Sequence, residues 1–257
     1  MKNRIKNVTV LFLCVVIGLT ASTAFAGKNA CGKEMTAEEM AERALDVQEI
    51  QNVMAMHQLY GVPGGDHNKE IELIWTHKTP GVSFAGNNYI VQGDIEVIKK
   101  FYGSGGHMQQ PTGGNTSFRS LTTPIIEVAG DGKTAKGFWY TPGWQADIRD
   151  GKGNSIWTYE KYAIDFVKED GKWKIWHFHV YNDWDVPMGE DLAQYAIEKA
   201  KNTGEMPARQ VQEEIASYYK AVDFNESYSP TRPPNPLKPR PPEPYCTFSE
   251  TFSYAEE

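Results

Sequence analysis

The chain has 257 residues, of which 40% are hydrophobic and 23% charged, and its net charge is −7. Such an acidic balance repels nucleic acid and anionic membrane surfaces, so neither is an expected partner. Three cysteines without a C-x-x-C spacing exclude a zinc ribbon and a thioredoxin-type redox motif.

Lys2, Arg4 and Lys6 precede the apolar run Val8 to Leu19, and Ala24-Phe25-Ala26 supplies the small residues of a signal-peptidase site. The run is short for a membrane span, which needs about 20 apolar residues. Residues 1–26 are therefore expected to be a signal peptide, with a retained anchor as the alternative. The expected location is extracellular or periplasmic, with no membrane association after cleavage. Loss of this segment takes the net charge to −10. Lys28-Asn29-Ala30 before Cys31 is no lipobox. Cys14 leaves with the signal, and Cys31 and Cys246 either pair in an oxidising compartment or stay free on the two ends.

The remainder suits one domain with extensions: an α+β unit over 36–190, a helical extension over 191–227 and a proline-rich tail over 228–257. Thr36 to Tyr60 reads as a helix, with Thr36 and Glu39 in a capping-box pattern and apolar residues from Leu45 to Met56 at helical spacing. Lys69 to Trp75 reads as a short second helix, Val82 to Ala85 as a strand, and Ile95 to Tyr102 as a third helix capped by Asp94. Gly103 to Ser117 is rich in Gly, Gln, Thr and Asn and reads as a loop without a phosphate-binding pattern.

The period then changes to alternation. Leu121 to Val128, Thr134 to Gln145, Ser155 to Lys168 and Lys172 to Tyr181 read as strands, with Gly130-Asp131-Gly132, Asp150-Gly151 and Asp170-Gly171 as turns. Helices followed by a meander predict helices on one face of a curved sheet. Glu190 to Val222 reads as helical again, broken near Gly204 and Pro207. Eight prolines between Pro230 and Pro244 favour extended polyproline structure. The aromatics Tyr228, Tyr245, Phe248, Phe252 and Tyr254 suggest that this tail lies on its own domain or on a neighbouring subunit.

Several pieces between Asp46 and Tyr181 carry a resemblance. They are Leu59-Tyr60 with Asp66 after it, Thr123-Pro124-Ile125-Ile126-Glu127-Val128, Ala135-Lys136-Gly137-Phe138-Trp139-Tyr140 and Asp170-Gly171-Lys172-Trp173-Lys174-Ile175. In these the chain resembles SnoaL-like proteins of the nuclear transport factor 2-like superfamily. The resemblance implies a cone: a curved mixed sheet packed on the N-terminal helices, with a pocket at its open end. It also implies cofactor-free acid/base chemistry on ring-containing substrates, although some members only bind ligands or partners. Within the bile-acid dehydratase-like branch, Tyr60 and Asp66 match pocket residues. The same branch carries a His where this chain has Thr122, and Thr is no general base.

Alternation along Lys172 to Tyr181 puts Trp173, Ile175, His177, His179 and Tyr181 on one face, expected to be the pocket face. Either imidazole could then move a proton near neutral pH. The reverse register would send both histidines to a subunit interface. His-x-His on a strand is also a metal arrangement, to be completed by His57, His67, His107 or Asp66, but no spacing forces these to converge, and no metal or cofactor is expected. The expected catalytic residues are thus Tyr60, Asp66, His177 and His179. The expected substrate-binding residues are Trp75, Arg119, Thr122, Trp139, Trp144, Tyr162 and Tyr181. Arg119 could meet a carboxylate or phenolate, and small residues beside Trp139 leave room for a flat ligand. The structural alternatives are that Tyr60 packs as core, that Asp66 caps a helix and that each His is bonded to a carboxylate or carbonyl.

The expected function is a cofactor-independent lyase, dehydratase or isomerase acting on a hydroxylated aromatic or polycyclic compound. A non-catalytic exported binding protein for an apolar small molecule is the second reading, and a metal-assisted hydrolase through His177 and His179 the third. Trp176, Phe178 and Val180, read as outward and apolar, suggest a homodimer or homotrimer.

Overall fold

The computed structural model describes residues 27–103, 113–201, 213–224 and 227–256. The expected signal peptide and His107 lie outside these residues. Thr36 caps helix α1 (Ala37–Tyr60): its hydroxyl accepts from Glu39 N at 3.1 Å, and the Glu39 carboxylate accepts from Thr36 N at 2.8 Å. A cap of this kind is worth about 1 kcal/mol. The helix buries Ile50, Val53 and Met54 on one stripe. Helix α2 (His67–Ile74) follows after a short turn, then strands β1 (Val82–Gly86) and β2 (Tyr89–Gly93), and helix α3 (Ile95–Gly103).

The meander comprises β3 (Thr116–Arg119), β4 (Ile125–Val128) and the long strands β5 (Thr134–Arg149), β6 (Lys152–Glu169) and β7 (Lys172–Pro187). Asp150-Gly151 and Asp170-Gly171 join the long strands in two-residue turns, all four residues at positive φ between 51° and 75°, as type I′ hairpins require. Helix α4 (Leu192–Lys201) comes next. The predicted helix to Val222 does not continue through the next described residues: 213–218 form a 3₁₀ turn, and β8 (Tyr219–Ala221) adds a strand.

The described strands form one sheet in the order β3-β5-β6-β7-β1-β2-β8, and β4 pairs with the same edge of β5 as β3. All pairs are antiparallel except β1 with β7, so the sheet is mixed. The three N-terminal helices pack on one face of this α+β fold. Their apolar side chains join Val82, Phe84, Trp139, Tyr162, Ile164, Trp173 and Phe178 in a single core. The other face carries the C-terminal tail.

Two bulges in β7 decide which side chain faces where. Asp165 pairs with His177 and Phe166 with Ile175, so Trp176 has no opposite residue; Asp183 is skipped in the same way between Trp184 and Asn182. Each extra residue inverts the alternation beyond it. Trp173 and Ile175 therefore face the helices, and so does Phe178, whereas His177, His179 and Tyr181 face the opposite way.

Cys31 and Cys246 form a disulfide, resolving the two options left by the sequence. Around it, Asn29 bonds Gly130 O, while Gly130 N and Asp131 N donate to the carbonyls of Tyr245 and Cys246. The tail lies on its own domain. Lys136, fully buried, sits 4.3 to 5.9 Å from the ring centres of Tyr245, Phe248, Phe252 and Tyr254. The expected outward apolar face thus needs correction. Phe178 belongs to the core, Val180 packs against it, and Trp176 is covered by Phe248 at 4.7 Å. The premise for a symmetric dimer on that face falls with it.

Candidate active site

The inner face gathers a polar cluster from three helices and the sheet. His57 lies one turn beyond Val53 and Met54 on the buried stripe of α1, at the i, i+3, i+4 and i+7 spacing that begins with Ile50. His67 and Glu70 lie in the first turns of α2, beside buried Ile71 and Ile74. Glu70 has no exposed surface. It accepts from His57 Nδ1 at 2.8 Å on one oxygen and from His67 Nδ1 at 3.2 Å on the other. One carboxylate thus orients two imidazoles in the tautomer that carries Nδ1–H, which leaves Nε2 of neutral His57 as its basic nitrogen.

Burial alone would push the Glu70 carboxyl up. The charge and hydrogen bond of His57, with those of His67, outweigh it and hold the group down at about 2. Tyr102 of α3 stands near this charge. Burial first, and then the Glu70 charge, raise its hydroxyl well above the ordinary tyrosine value, so it stays protonated.

His57 lies edge-on to Phe178, at 4.7 Å between ring centres, and 5.9 Å from Tyr162. The Tyr162 hydroxyl sits between Gln58 and Glu160, and burial raises its ionisation above the ordinary range. Glu160 in turn holds Arg119 by two contacts, 3.1 Å to Nε and 3.3 Å to Nη2. Trp75 is fully buried, near Tyr102 and Phe178, and its Nε1–H has no partner among the described residues. A buried donor left unmatched costs about 1–3 kcal/mol, so its place beside the cluster is notable.

Of the expected site residues, the structure brings Trp75, Tyr162 and Arg119 to this inner region. Arg119 is matched by Glu160 and is not a bare cation awaiting an anion. Trp139 is inside, but its own ring occupies the space over Gly137, where a Cβ would fall 2.4 Å from it. The room expected there for a flat ligand is filled. Tyr60 is half-buried at the end of α1. Asp66 is exposed and caps α2, accepting from Lys69 N at 3.0 Å, its structural alternative. Thr122 is exposed and donates to Tyr140 O at 3.0 Å. Trp144 is half-buried on β5, where its carbonyl accepts from Arg119.

His177 and His179, expected in the pocket, lie on the outer face because of the bulge at Trp176. His177 Nδ1 meets Asp165 at 2.8 Å and Ser253 Oγ at 3.1 Å, and His179 Nδ1 donates to Tyr254 O at 3.2 Å. Both are tail contacts or their immediate support. Tyr181 stacks on His179 at 3.8 Å on that same face. The histidines considered as metal partners are separated accordingly: His57 and His67 inside, His177 and His179 outside. Among the described residues no three His, Cys, Asp or Glu side chains form a metal-holding group.

The model of the SnoaL-like domain matches residues 42–179, more than half of the chain. No curated protein matches it. Solved structures that resemble it include an NTF2-like protein with a cystatin-like fold from Novosphingobium aromaticivorans, at 17% identity over 63% of this chain and 96% of that one, with a TM-score of 0.41. Another is hexachlorocyclohexane dehydrochlorinase LinA-type3 from Novosphingobium barchaimii, at 16% over 59% and 93%, with a TM-score of 0.42. A third is an NTF2-like superfamily protein from Salmonella enterica, at 20% over 58% and 99%, with a TM-score of 0.43.

Proposed function

Because the chain belongs to the SnoaL-like family, we propose that it is a cofactor-independent acid/base enzyme, a lyase, dehydratase or isomerase. Its substrate is a hydroxylated aromatic or polycyclic small molecule. The observation that carries this reading is the fully buried Glu70 carboxylate between two imidazoles, with His57 directed by it against Tyr162 and Phe178. The ionised carboxylate fixes the His57 tautomer and stabilises the imidazolium that forms when Nε2 takes a proton. The Tyr162 hydroxyl gives its one proton to Glu160, so Tyr162 serves as an aromatic wall held in place by that bond. Trp75 Nε1–H is the donor for a substrate oxygen, and the surrounding aromatic rings suit a ring-containing substrate. Export into an oxidising compartment belongs to the same proposal, and the Cys31–Cys246 disulfide supports it.

The test is a panel of hydroxylated aromatic, steroid and polycyclic compounds incubated in D₂O and followed by NMR for loss of water or exchange of C–H for C–D. His57→Gln is expected to lower turnover by about 10²-fold or more, and His177→Gln to leave it. Equal turnover by His57→Gln and the unaltered protein would falsify the assignment. A non-catalytic binding protein is the second reading, favoured by the exposed Thr122 at the position where the dehydratase-like branch has its His. A compound that binds and is recovered unchanged from every member of the panel would support it.

A further inference from the structure

Outside the cone, a cleft of about 250 Å³ opens between the outer face of the sheet and the proline-rich tail. Its sheet wall carries Tyr140, Tyr159 and Trp184 from three neighbouring strands. These rings stack in series, 5.8 Å and 18° apart for the first pair and 5.7 Å and 14° for the second. Trp184 reaches this position because the bulge at Asp183 turns it outward. The tail wall is built by Tyr228, the prolines from Pro233 to Pro236 and Arg232, whose guanidinium donates to Ser227 O at 2.6 Å. The backbone bond from Tyr228 N to Asp183 O, at 2.8 Å, ties the two walls together.

An ion pair also lines the cleft. Lys161, whose side chain is 7% exposed, meets Asp183 Oδ2 at 3.0 Å and donates to Lys238 O at 2.9 Å. Among the described residues, two of the three ammonium donors are therefore used, and one carboxylate oxygen of Asp183 is left. The pair presents a hydrogen-bond donor beside an acceptor with no net charge between them. Burial pushes the Asp183 carboxyl up against the pull of Lys161, a sign that water supports the carboxylate poorly here.

We propose that this cleft is a second binding site, separate from the cone interior, for a neutral sugar unit. Aromatic rings and prolines pack against the C–H faces of a pyranose. The neighbouring acceptor and donor match two adjacent hydroxyls.

Cellobiose and maltose, titrated into the full chain labelled with ¹⁵N-tryptophan, provide the test. The indole signal of Trp184, assigned with Trp184→Phe, is expected to shift in a saturable way with at least one of the two sugars. Asp183→Asn is expected to weaken the apparent affinity about tenfold. Absence of any shift at Trp184 with both sugars overturns the proposal, as does unchanged affinity in Asp183→Asn. Should that variant fail to fold, Tyr228→Ala, which alters an exposed ring on the tail, carries the same expectation and the same refutation.

Discussion

The two faces of the sheet each bury a carboxylate completely, and the two are used differently. Inside, Glu70 spends its oxygens on two imidazoles, His57 and His67. Outside, Asp165 is saturated by structural partners: Lys136 Nζ at 2.6 Å, His177 Nδ1 at 2.8 Å, Tyr254 N at 2.8 Å and Ser253 Oγ at 3.2 Å. Two of those four donors belong to the tail. His177 itself is stacked on Trp176 at 4.2 Å with Phe248 close by, which holds the ring in packing. A buried carboxylate and an imidazole are therefore not a catalytic signature by themselves. What separates the pairs is what else each member is committed to.

Removing Asp165 should have the largest effect on stability. Asp165→Ala leaves the fully buried Lys136 ammonium without its counter-ion, a loss of about 3–5 kcal/mol. Urea unfolding would register it, and Lys136→Met in the same chain should recover much of the loss. If Asp165→Ala unfolds at the original urea concentration, the outer carboxylate is not the lock described here.

Acid should act on the inner carboxylate next. The Glu70 value in the folded protein, about 2, lies below its ordinary 4.5. A depressed carboxyl stabilises the fold above the unfolded value, and the contribution fades as pH falls from about 4.5 toward about 2. The full contribution is roughly 3 kcal/mol. Glu70→Gln should be less stable near neutrality and should show a flatter stability profile through that window, followed by urea midpoints at successive pH values. A profile as steep as that of the unaltered chain would assign the acid sensitivity to other groups.

The smallest effect sharpens the contrast most. His177→Gln removes one bond from a crowded carboxylate and should cost about 1 kcal/mol, measured by urea unfolding, with turnover unaffected. Its inner counterpart, His57→Gln, should lose turnover and, because it takes from the buried Glu70 its main counter-charge, lose more stability as well. Exchanged outcomes would move the chemistry to the outer face.

Much of this architecture is legible in the residues. The capping box at Thr36 and Glu39, the aspartate–glycine turns and the change from helical to alternating spacing locate α1 and the long strands. Sidedness along β7 is not legible. Alternation carries Trp173 and Ile175 inward and would carry His177 with them, but a single unpaired Trp176 reverses everything after it. This bulge leaves no periodic trace in the sequence, because both registers place an aromatic or apolar residue at the next two inward positions, His177 and His179 in one, Phe178 and Val180 in the other. The inner cluster did leave a trace. His57 continues the stripe of Ile50, Val53 and Met54, and Glu70 shares the buried face of α2 with Ile71 and Ile74. A charged residue on an apolar helical stripe needs a partner, and another polar residue on the facing stripe is where to find it. Tyr60 and Asp66 stand out by family pattern, although the side chain that Glu70 orients, His57, lies one helical turn before Tyr60.

The bond between Cys31 and Cys246 gives the chain the topology of a lariat, with its anchor points 215 positions apart. A protease that cuts the exposed turn at Asp150-Gly151 would then release nothing: both pieces would stay joined through sulfur. The segment that walls the outer cleft would keep its anchorage through such damage. Only a reductant acting together with the nick would let the fragments separate, which non-reducing and reducing gels of the digested protein would distinguish.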